Sequence, residues 1–236
     1  MRSKIQPMQP VASLLRNNKI YFAGFFTLLL CGCIMLLLEG KAVAFISLNA
    51  YHPFELNVFF INYTFMGDGI FAICLIALFF YFKKKRQGYA MLFSFLLSGI
   101  TVQIIKNLVS SPRPKLFFEA GQYLHFIDGV SLANNSSFPS GHTATAFAIA
   151  TVMVLLMKDK SWQLLILISA VLVGYSRIYL AQHFLLDVMI GAFVGAASGL
   201  ASLYLVANVK NIRLSLKKIH RLPSPPAASP SSVQPA

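Results

Sequence analysis

Long apolar runs, separated by short polar stretches, dominate the chain. Read in windows of about 20 residues, the length that crosses a bilayer core, this pattern predicts six spans: Ile20–Leu38, Ile61–Phe82, Tyr89–Val109, Pro139–Met157, Leu164–Gln182 and Phe184–Val209. The polar stretches between them are too short to form domains of their own. The pattern therefore predicts an all-α polytopic membrane protein, a bundle of six transmembrane helices.

Three segments follow from the same pattern. Residues 1–19 form a polar N-terminal tail, residues 20–209 the six-span domain, and residues 210–236 a tail that is basic at first and then rich in Pro and Ser. The part beyond Pro223 has the composition of a disordered segment. The first apolar run is longer than a secretory core and no small-residue cleavage site follows it, so we expect it to remain as an anchor.

Basic residues are distributed unevenly between the predicted loops. Of the 20 Lys and Arg residues, 15 lie in the two tails and in the second-to-third and fourth-to-fifth loops. Since positively charged loops stay in the cytoplasm, we expect both termini to be cytoplasmic, in a bacterial inner membrane. The five remaining basic residues lie towards the opposite, exoplasmic face: Lys41, Lys106, Arg113, Lys115 and Arg177.

The composition excludes several classes of protein. With 57% hydrophobic and 11% charged residues, the chain is too apolar for a soluble domain and its charge is too sparse for a nucleic-acid-binding face. The net charge of +13 is explained by topology and by attraction to anionic lipid. Cys31, Cys33 and Cys74 lie inside apolar runs, which indicates small buried hydrophobic residues and neither a disulfide nor a metal site. No cofactor is implied.

Six polar residues in or beside the spans are candidates for a functional site, because charge near the bilayer centre costs ~2.5–3.5 kcal/mol. With the N-terminus inside, odd spans end and even spans begin at the exoplasmic face. The six residues all fall at such ends, so they are predicted to form one exoplasmic layer: Lys106, Arg113, His142, Arg177, His183 and Asp187.

Local spacing within this layer indicates phosphoryl chemistry. His183 and Asp187 are four residues apart, so on a continuous helix the carboxylate can accept the Nδ1–H and leave Nε2 free to act. The segment from Phe138 to His142 suits a helix start, with Ser136 or Ser137 as the cap and the first amides free to bind an anion. Lys106, Arg113 and Arg177 supply cations, and arginine suits forked contacts with phosphate oxygens. This set needs no metal ion.

The motifs resemble the three-part signature of the type 2 phosphatidic acid phosphatase superfamily, in its membrane branch. The matching parts are Lys106 with six residues before Arg113-Pro114, then Pro139-Ser140-Gly141-His142, then Ser176-Arg177 with five residues before His183 and three more before Asp187. All three parts match without substitution. The six-span layout over residues 20–209 agrees with that branch, and the tails are not covered.

The resemblance implies a role for each residue. His183 would be the nucleophile that forms a phosphohistidine, Asp187 would orient it, and His142 would protonate the leaving oxygen. The phosphoryl oxygens would be held by five residues: Lys106, Arg113, Ser140, Gly141 and Arg177. The protein is thus expected to be a metal-independent hydrolase of phospholipid metabolism that removes a phosphomonoester or pyrophosphate from a membrane lipid at the exoplasmic face.

Alternatives remain open at this stage. A lipid-to-lipid phosphotransferase could use the same site. Vanadium-dependent haloperoxidases share the motifs, but they are soluble. A channel or transporter should carry charges at several depths instead of in one layer. The lipid also remains open: undecaprenyl pyrophosphate, phosphatidylglycerol phosphate, phosphatidic acid and a lipid A phosphate all fit, and the oligomeric state is not indicated.

Other polar or small residues are expected to have ordinary roles. Asp68 is interpreted mainly as a helix cap, Lys115 as a residue that reaches the membrane interface, and the histidines of loops and tail, His52, His125 and His220, as solvated. In the sixth span, glycines recur at four-residue intervals, which favours close helix packing within the bundle over dimerisation: Gly191, Gly195 and Gly199.

Overall fold

The computed structural model describes residues 10–118, 126–127 and 136–219, with side chains up to residue 207. These residues form nine α-helices: α1 (Val11–Asn17), α2 (Lys19–Leu48), α3 (Phe54–Tyr63), α4 (Gly69–Tyr81), α5 (Lys85–Leu108), α6 (Pro114–Phe117), α7 (Gly141–Leu156), α8 (Gln163–Tyr179) and α9 (Leu185–Ile219). The described part contains no strand. His125, His220, the tail beyond Pro223 and most of the loop before Phe138 lie outside the described residues.

The prediction of an all-helical membrane protein is confirmed, but the number of six spans is not. Within the described residues, four helices are long and apolar enough to cross a membrane: α2, α5, α8 with the short 3₁₀ turn before it, and α9 up to Ala207. The bent pair formed by α3 and α4 could supply a fifth span. At 16 residues, α7 is about 24 Å long at 1.5 Å per residue, which is less than the ~30 Å hydrocarbon core.

The predicted second span, Ile61–Phe82, is not one helix. Helix α3 ends at Tyr63, a 3₁₀ turn covers Thr64–Gly67, and α4 begins only at Gly69, with an angle of 56° between the two parts. At the break Asp68 has an extended backbone, and its side chain accepts a hydrogen bond from the amide of Ile70. A residue with an extended backbone, whose acidic side chain accepts from the first free amides of a helix, is a typical N-cap. The chain therefore starts a new helix after Asp68.

Helix α7 lies at the centre of the bundle, packed against α5, α8 and α9. Every residue from Thr143 to Val152 on this helix is buried. The glycines of α9 make this possible: a Cβ on Gly191 would lie 2.5 Å from the Ser140 carbonyl oxygen, and one on Gly199 2.6 Å from the Cβ of Thr151. The prediction that these glycines pack within the bundle is confirmed, and their packing brings the first turns of α7 and α9 together.

Two smaller predictions were wrong. The three cysteines, Cys31, Cys33 and Cys74, are exposed, because they lie on the outer surface of α2 and α4, where apolar side chains meet lipid. The loop histidine His52 is not solvated, since its ring packs 4.3 Å from the ring of Tyr179 and its Nε2 contacts the Asn49 carbonyl oxygen at 2.8 Å.

Candidate active site

A buried histidine and carboxylate lie at the junction of α8 and α9. His183 is 2% exposed and Asp187 is equally buried, and His183 Nδ1 lies 3.5 Å from Asp187 Oδ2. His183 precedes the first residue of α9, so the predicted contact is made, but across the helix start and not along a continuous helix. The same Asp187 oxygen accepts hydrogen bonds from the Ser137 hydroxyl at 2.5 Å and from the Phe184 amide at 3.0 Å.

This surrounding keeps His183 uncharged at neutral pH. Burial, which removes the solvation of the imidazolium, lowers the pKa of His183 to about 4. The hydrogen bond with Asp187 acts in the opposite direction, while Arg177 and Arg113 act with burial. A neutral imidazole whose Nδ1 faces a carboxylate retains a nucleophilic nitrogen, Nε2.

Three cations lie around this pair. Arg177 is 5% exposed; it donates from Nη1 to the Thr64 hydroxyl at 2.6 Å and from Nη2 to the Gln182 side-chain oxygen. Within the described residues its buried Nε has no hydrogen-bond partner. Arg113 donates from Nη1 to the Gln182 carbonyl oxygen at 3.4 Å, and burial lowers its pKa, an effect that the charge of Asp187 opposes. Lys106 lies in the last turn of α5 and donates to the Ser136 carbonyl oxygen at 2.9 Å.

The start of α7 differs from the sequence prediction. Ser140, not Ser136 or Ser137, is the N-cap: its hydroxyl accepts from the Thr143 amide at 3.4 Å and from the Thr143 hydroxyl at 2.9 Å. The Ser140 amide is also occupied, because it donates to the Asp187 carbonyl oxygen at 3.0 Å. Ser140 therefore ties α7 to α9, and Gly141 is the first residue of the helix.

The second histidine occupies a more open position. His142 is the second residue of α7, and about a third of its side chain is exposed. Its Nε2 lies 3.8 Å from Oδ2 of Asp68, which is also partly exposed. The site thus combines one fully buried histidine with one that solvent or a ligand can reach, as expected if the two have different tasks.

Sequence reasoning did not identify three polar residues of this site. Ser137 bonds Asp187, Gln182 accepts from both arginines, and Thr64 accepts from Arg177. Gln182 could have been noticed, because it is a polar side chain within the third motif, directly before His183. The sequence marked Ser137 only as a candidate helix cap, and Thr64 lies far from Arg177 in sequence, where no local pattern marks it.

Comparisons with known proteins identify the family to which the chain belongs. The PAP2 superfamily model matches residues 87–211. The undecaprenyl-diphosphatase of Sulfolobus acidocaldarius is 31% identical over 144 residues, which are 60% of this chain and 67% of that protein. The lipid A 4'-phosphatase of Porphyromonas gingivalis is 31% identical over 173 residues, 69% of this chain and 71% of that protein.

A solved structure is similar as well. The crystal structure of Aquifex aeolicus LpxE superposes with a TM-score of 0.61 at 32% identity, and the match covers 70% of this chain and 94% of that one. The chain belongs to the PAP2 superfamily, among its membrane lipid phosphatases. It is an integral membrane phosphoric monoester hydrolase.

Proposed function

We propose that this protein removes a phosphate group from a membrane lipid at the exoplasmic face, through a phosphohistidine on His183 and without a metal ion. The observation that carries the proposal is the buried group of His183, Asp187 and Ser137 next to Arg177 and Arg113. A neutral nucleophile beside fixed cations suits attack on an anionic phosphoryl group, since the cations offset the charge of its equatorial oxygens.

The reaction proceeds in two displacements. In the first, Nε2 of His183 forms a bond to phosphorus while the bond from phosphorus to the lipid oxygen breaks, and His142 gives its proton to that oxygen. In the second, His142 takes a proton from water, whose oxygen displaces the imidazole and releases inorganic phosphate. Asp187 holds the ring throughout, because its carboxylate accepts from the Nδ1 side.

Aromatic residues beside the site support a lipid substrate. The Lys41 ammonium group lies 3.9 Å from the ring centre of Phe184 and 4.9 Å from that of Phe117. Leu116 and Phe117, on the short helix α6 that follows Arg113, are 55% and 41% exposed. An acyl or prenyl chain can contact these apolar side chains while its phosphate reaches the cations.

We expect the purified full-length protein to release phosphate from at least one of four lipids: undecaprenyl pyrophosphate, phosphatidylglycerol phosphate, phosphatidic acid and a lipid A phosphate. Activity should survive exhaustive treatment with EDTA, because the described residues contain no group of three or more His, Cys, Asp and Glu side chains placed to hold a metal ion, and magnesium needs several oxygen ligands. The His183→Ala variant serves as the inactive control, and phosphate release is measured in each case.

Phosphate release from none of the four lipids contradicts the proposal. A loss with EDTA that magnesium restores, on a lipid that disperses without magnesium, contradicts the metal-independent mechanism. Transfer of the phosphate to a second lipid, detected by chromatography of the lipid products, identifies a phosphotransferase instead.

The exoplasmic location is tested by thiol labelling in intact cells. In a variant without the three native cysteines, Tyr51→Cys is expected to react with a membrane-impermeant reagent. Tyr51 is 72% exposed and follows Asn49, whose amide nitrogen bonds the carbonyl oxygens of Ile178 and Tyr179 at the site end of α8. The matched control is Lys158→Cys in the exposed loop after α7, which should react only after lysis. The reverse pattern contradicts the orientation.

A further inference from the structure

One turn of the chain contacts the site although it lies outside the PAP2 match. The 3₁₀ turn Thr64–Gly67 and the following Asp68 precede residue 87, where the match begins. Thr64 accepts a hydrogen bond from Arg177 at 2.6 Å, and Asp68 lies 3.8 Å from His142. The break between α3 and α4 therefore places a carboxylate beside the histidine of the second motif.

The position of Asp68 is fixed by two features. Its Oδ1 accepts from the Ile70 amide at 2.7 Å, as an N-cap of α4, while Oδ2 is the oxygen closest to His142 Nε2. Gly67 lets the turn approach, because a Cβ at this position would lie 2.8 Å from the carbonyl oxygen of His142. The interpretation of Asp68 as a helix cap explains the contact of Oδ1 but does not explain the position of Oδ2.

The charges around His142 explain what this oxygen can do. Burial is the largest effect that disfavours the charged form of His142, and the positive charges of Arg177 and Arg113 add to it, while His183 also faces the ring. Asp68 is the carboxylate that acts in the other direction. A general acid must carry its proton when the leaving oxygen departs, so a histidine among arginines needs a compensating negative charge.

We propose that Asp68 is a positioning residue that favours the protonated form of His142 and directs it towards the leaving oxygen. This inference rests on the proposed function. The proton passes from His142 to the lipid oxygen as the bond between phosphorus and that oxygen breaks, and Asp68 itself neither gains nor loses a proton. At 3.8 Å the contact is electrostatic, so the imidazole can still donate its hydrogen bond to the substrate.

Asp68→Asn in the full-length protein tests the inference, because asparagine is as good an N-cap as aspartate but carries no charge. We expect kcat/KM on a lipid phosphomonoester to fall by about 10- to 100-fold, within the range of general acid catalysis. On an aryl phosphate, whose leaving group needs no proton, the change should stay below about threefold. The matched control is Asp159→Asn, which also caps a helical turn, through the Ser161 amide, and should change neither value.

The pH profile provides a readout that a purely structural role would not move. Loss of the carboxylate makes the charged imidazole less favourable, so the alkaline limb of kcat/KM on the lipid substrate should move to lower pH in Asp68→Asn. Asp68→Glu, which retains the charge, should restore part of the shift. Combined with His142→Ala, Asp68→Asn should cause little additional loss, because both changes remove the same proton donation.

Several results would overturn the inference. The first is an equal loss of kcat/KM for Asp68→Asn on the lipid and on the aryl phosphate, and the second is an unchanged pH profile. The third is a double variant whose loss of kcat/KM equals the product of the losses of Asp68→Asn and His142→Ala. Asp68→Ser, a second uncharged cap, and the thermal midpoint of each variant distinguish these results from misfolding. If the wild-type protein releases no phosphate from any lipid, the proposed function fails and the inference with it; an active wild type with an unaffected Asp68→Asn contradicts the inference alone.

Discussion

His183→Ala is expected to lose phosphate release on every substrate, whereas His142→Ala should lose it selectively. No covalent intermediate can form without the imidazole of His183, so kcat/KM should fall by at least about 10⁴-fold, as when other enzymes lose their nucleophile. His142 only supplies a proton, and a proton is worth ~10²–10⁴-fold when the leaving group is poor. A lipid alkoxide is a poor leaving group and a nitrophenolate is a good one.

The measurement is kcat/KM for each variant on a lipid phosphomonoester and on p-nitrophenyl phosphate, under saturating detergent. The expected pattern is a large loss for His142→Ala on the lipid, a small one on the aryl ester, and no activity of His183→Ala on either. The elution profile of each variant checks that it is folded. As a matched control we suggest His52→Ala, which removes a histidine that packs against Tyr179 and has no place in the reaction.

Two outcomes contradict this assignment. Equal losses for His142→Ala on both substrates would mean that His142 binds phosphate and does not donate a proton. Residual activity of His183→Ala that depends on His142 would mean that the roles of the two histidines are reversed. The burial of His183 and the exposure of His142 favour the assignment made here, because a departing lipid oxygen must reach the proton donor.

Three of the helices that carry the site, α5, α7 and α8, could be predicted to within a few residues, whereas α9 continues to Ile219, past its predicted end at Val209. Predicted as Tyr89–Val109 and Leu164–Gln182, α5 and α8 extend over Lys85–Leu108 and Gln163–Tyr179. Apolar runs of this length are a local property of the sequence, so hydropathy finds them without knowledge of the fold. The ends are less certain, because a helix end depends on caps and turns as well as on apolarity.

The break at Asp68 could not be found by hydropathy, although its residues were visible. An average over about 20 residues hardly registers one aspartate between Gly67 and Gly69. A cap, however, depends on the backbone conformation of a single residue, here extended at Asp68. The interpretation of Asp68 as a helix cap is confirmed, but a cap inside an apolar run also means that the run is broken there, and the predicted span Ile61–Phe82 did not take this into account.

The motif residues were predicted to converge, and the structure brings them together, whereas the contacts between them depend on distant segments. Ser137 bonds Asp187 across 50 residues, and Thr64 bonds Arg177 across 113. Neither contact follows from periodicity or spacing, because the first forms only when the start of α7 packs against α9 and the second only when the 3₁₀ turn Thr64–Gly67 packs against α8. The sequence thus identifies residue types suited to phosphoryl chemistry, and packing determines which of their atoms are already occupied.

Arg177→Lys is expected to cause the second large loss, about 10²–10³-fold in kcat/KM on every substrate, the effect of removing one preorganised donor to a reacting oxygen. The guanidinium is held by Thr64 and by Gln182, while within the described residues Nε has no partner. A buried donor without an acceptor is unfavourable, and a phosphoryl oxygen would satisfy it. Lysine keeps the charge but cannot contact Thr64, Gln182 and a phosphoryl oxygen in one plane.

Because Arg177 also connects two segments, the test must separate binding from folding. Thr64→Val removes the bond from Arg177 to the turn but keeps the guanidinium, and Arg86→Lys makes the same exchange at an exposed position at the start of α5. Inhibition by inorganic phosphate should weaken in Arg177→Lys and stay close to the wild-type value in Arg86→Lys. The thermal midpoint of unfolding is measured for all three variants, to show that each is folded. A kcat/KM of Arg177→Lys that stays within about threefold of the wild-type value would contradict the prediction, since the loss of a preorganised donor should cost far more. A stably folded variant with that activity would show that phosphate binding needs no forked donor at this position.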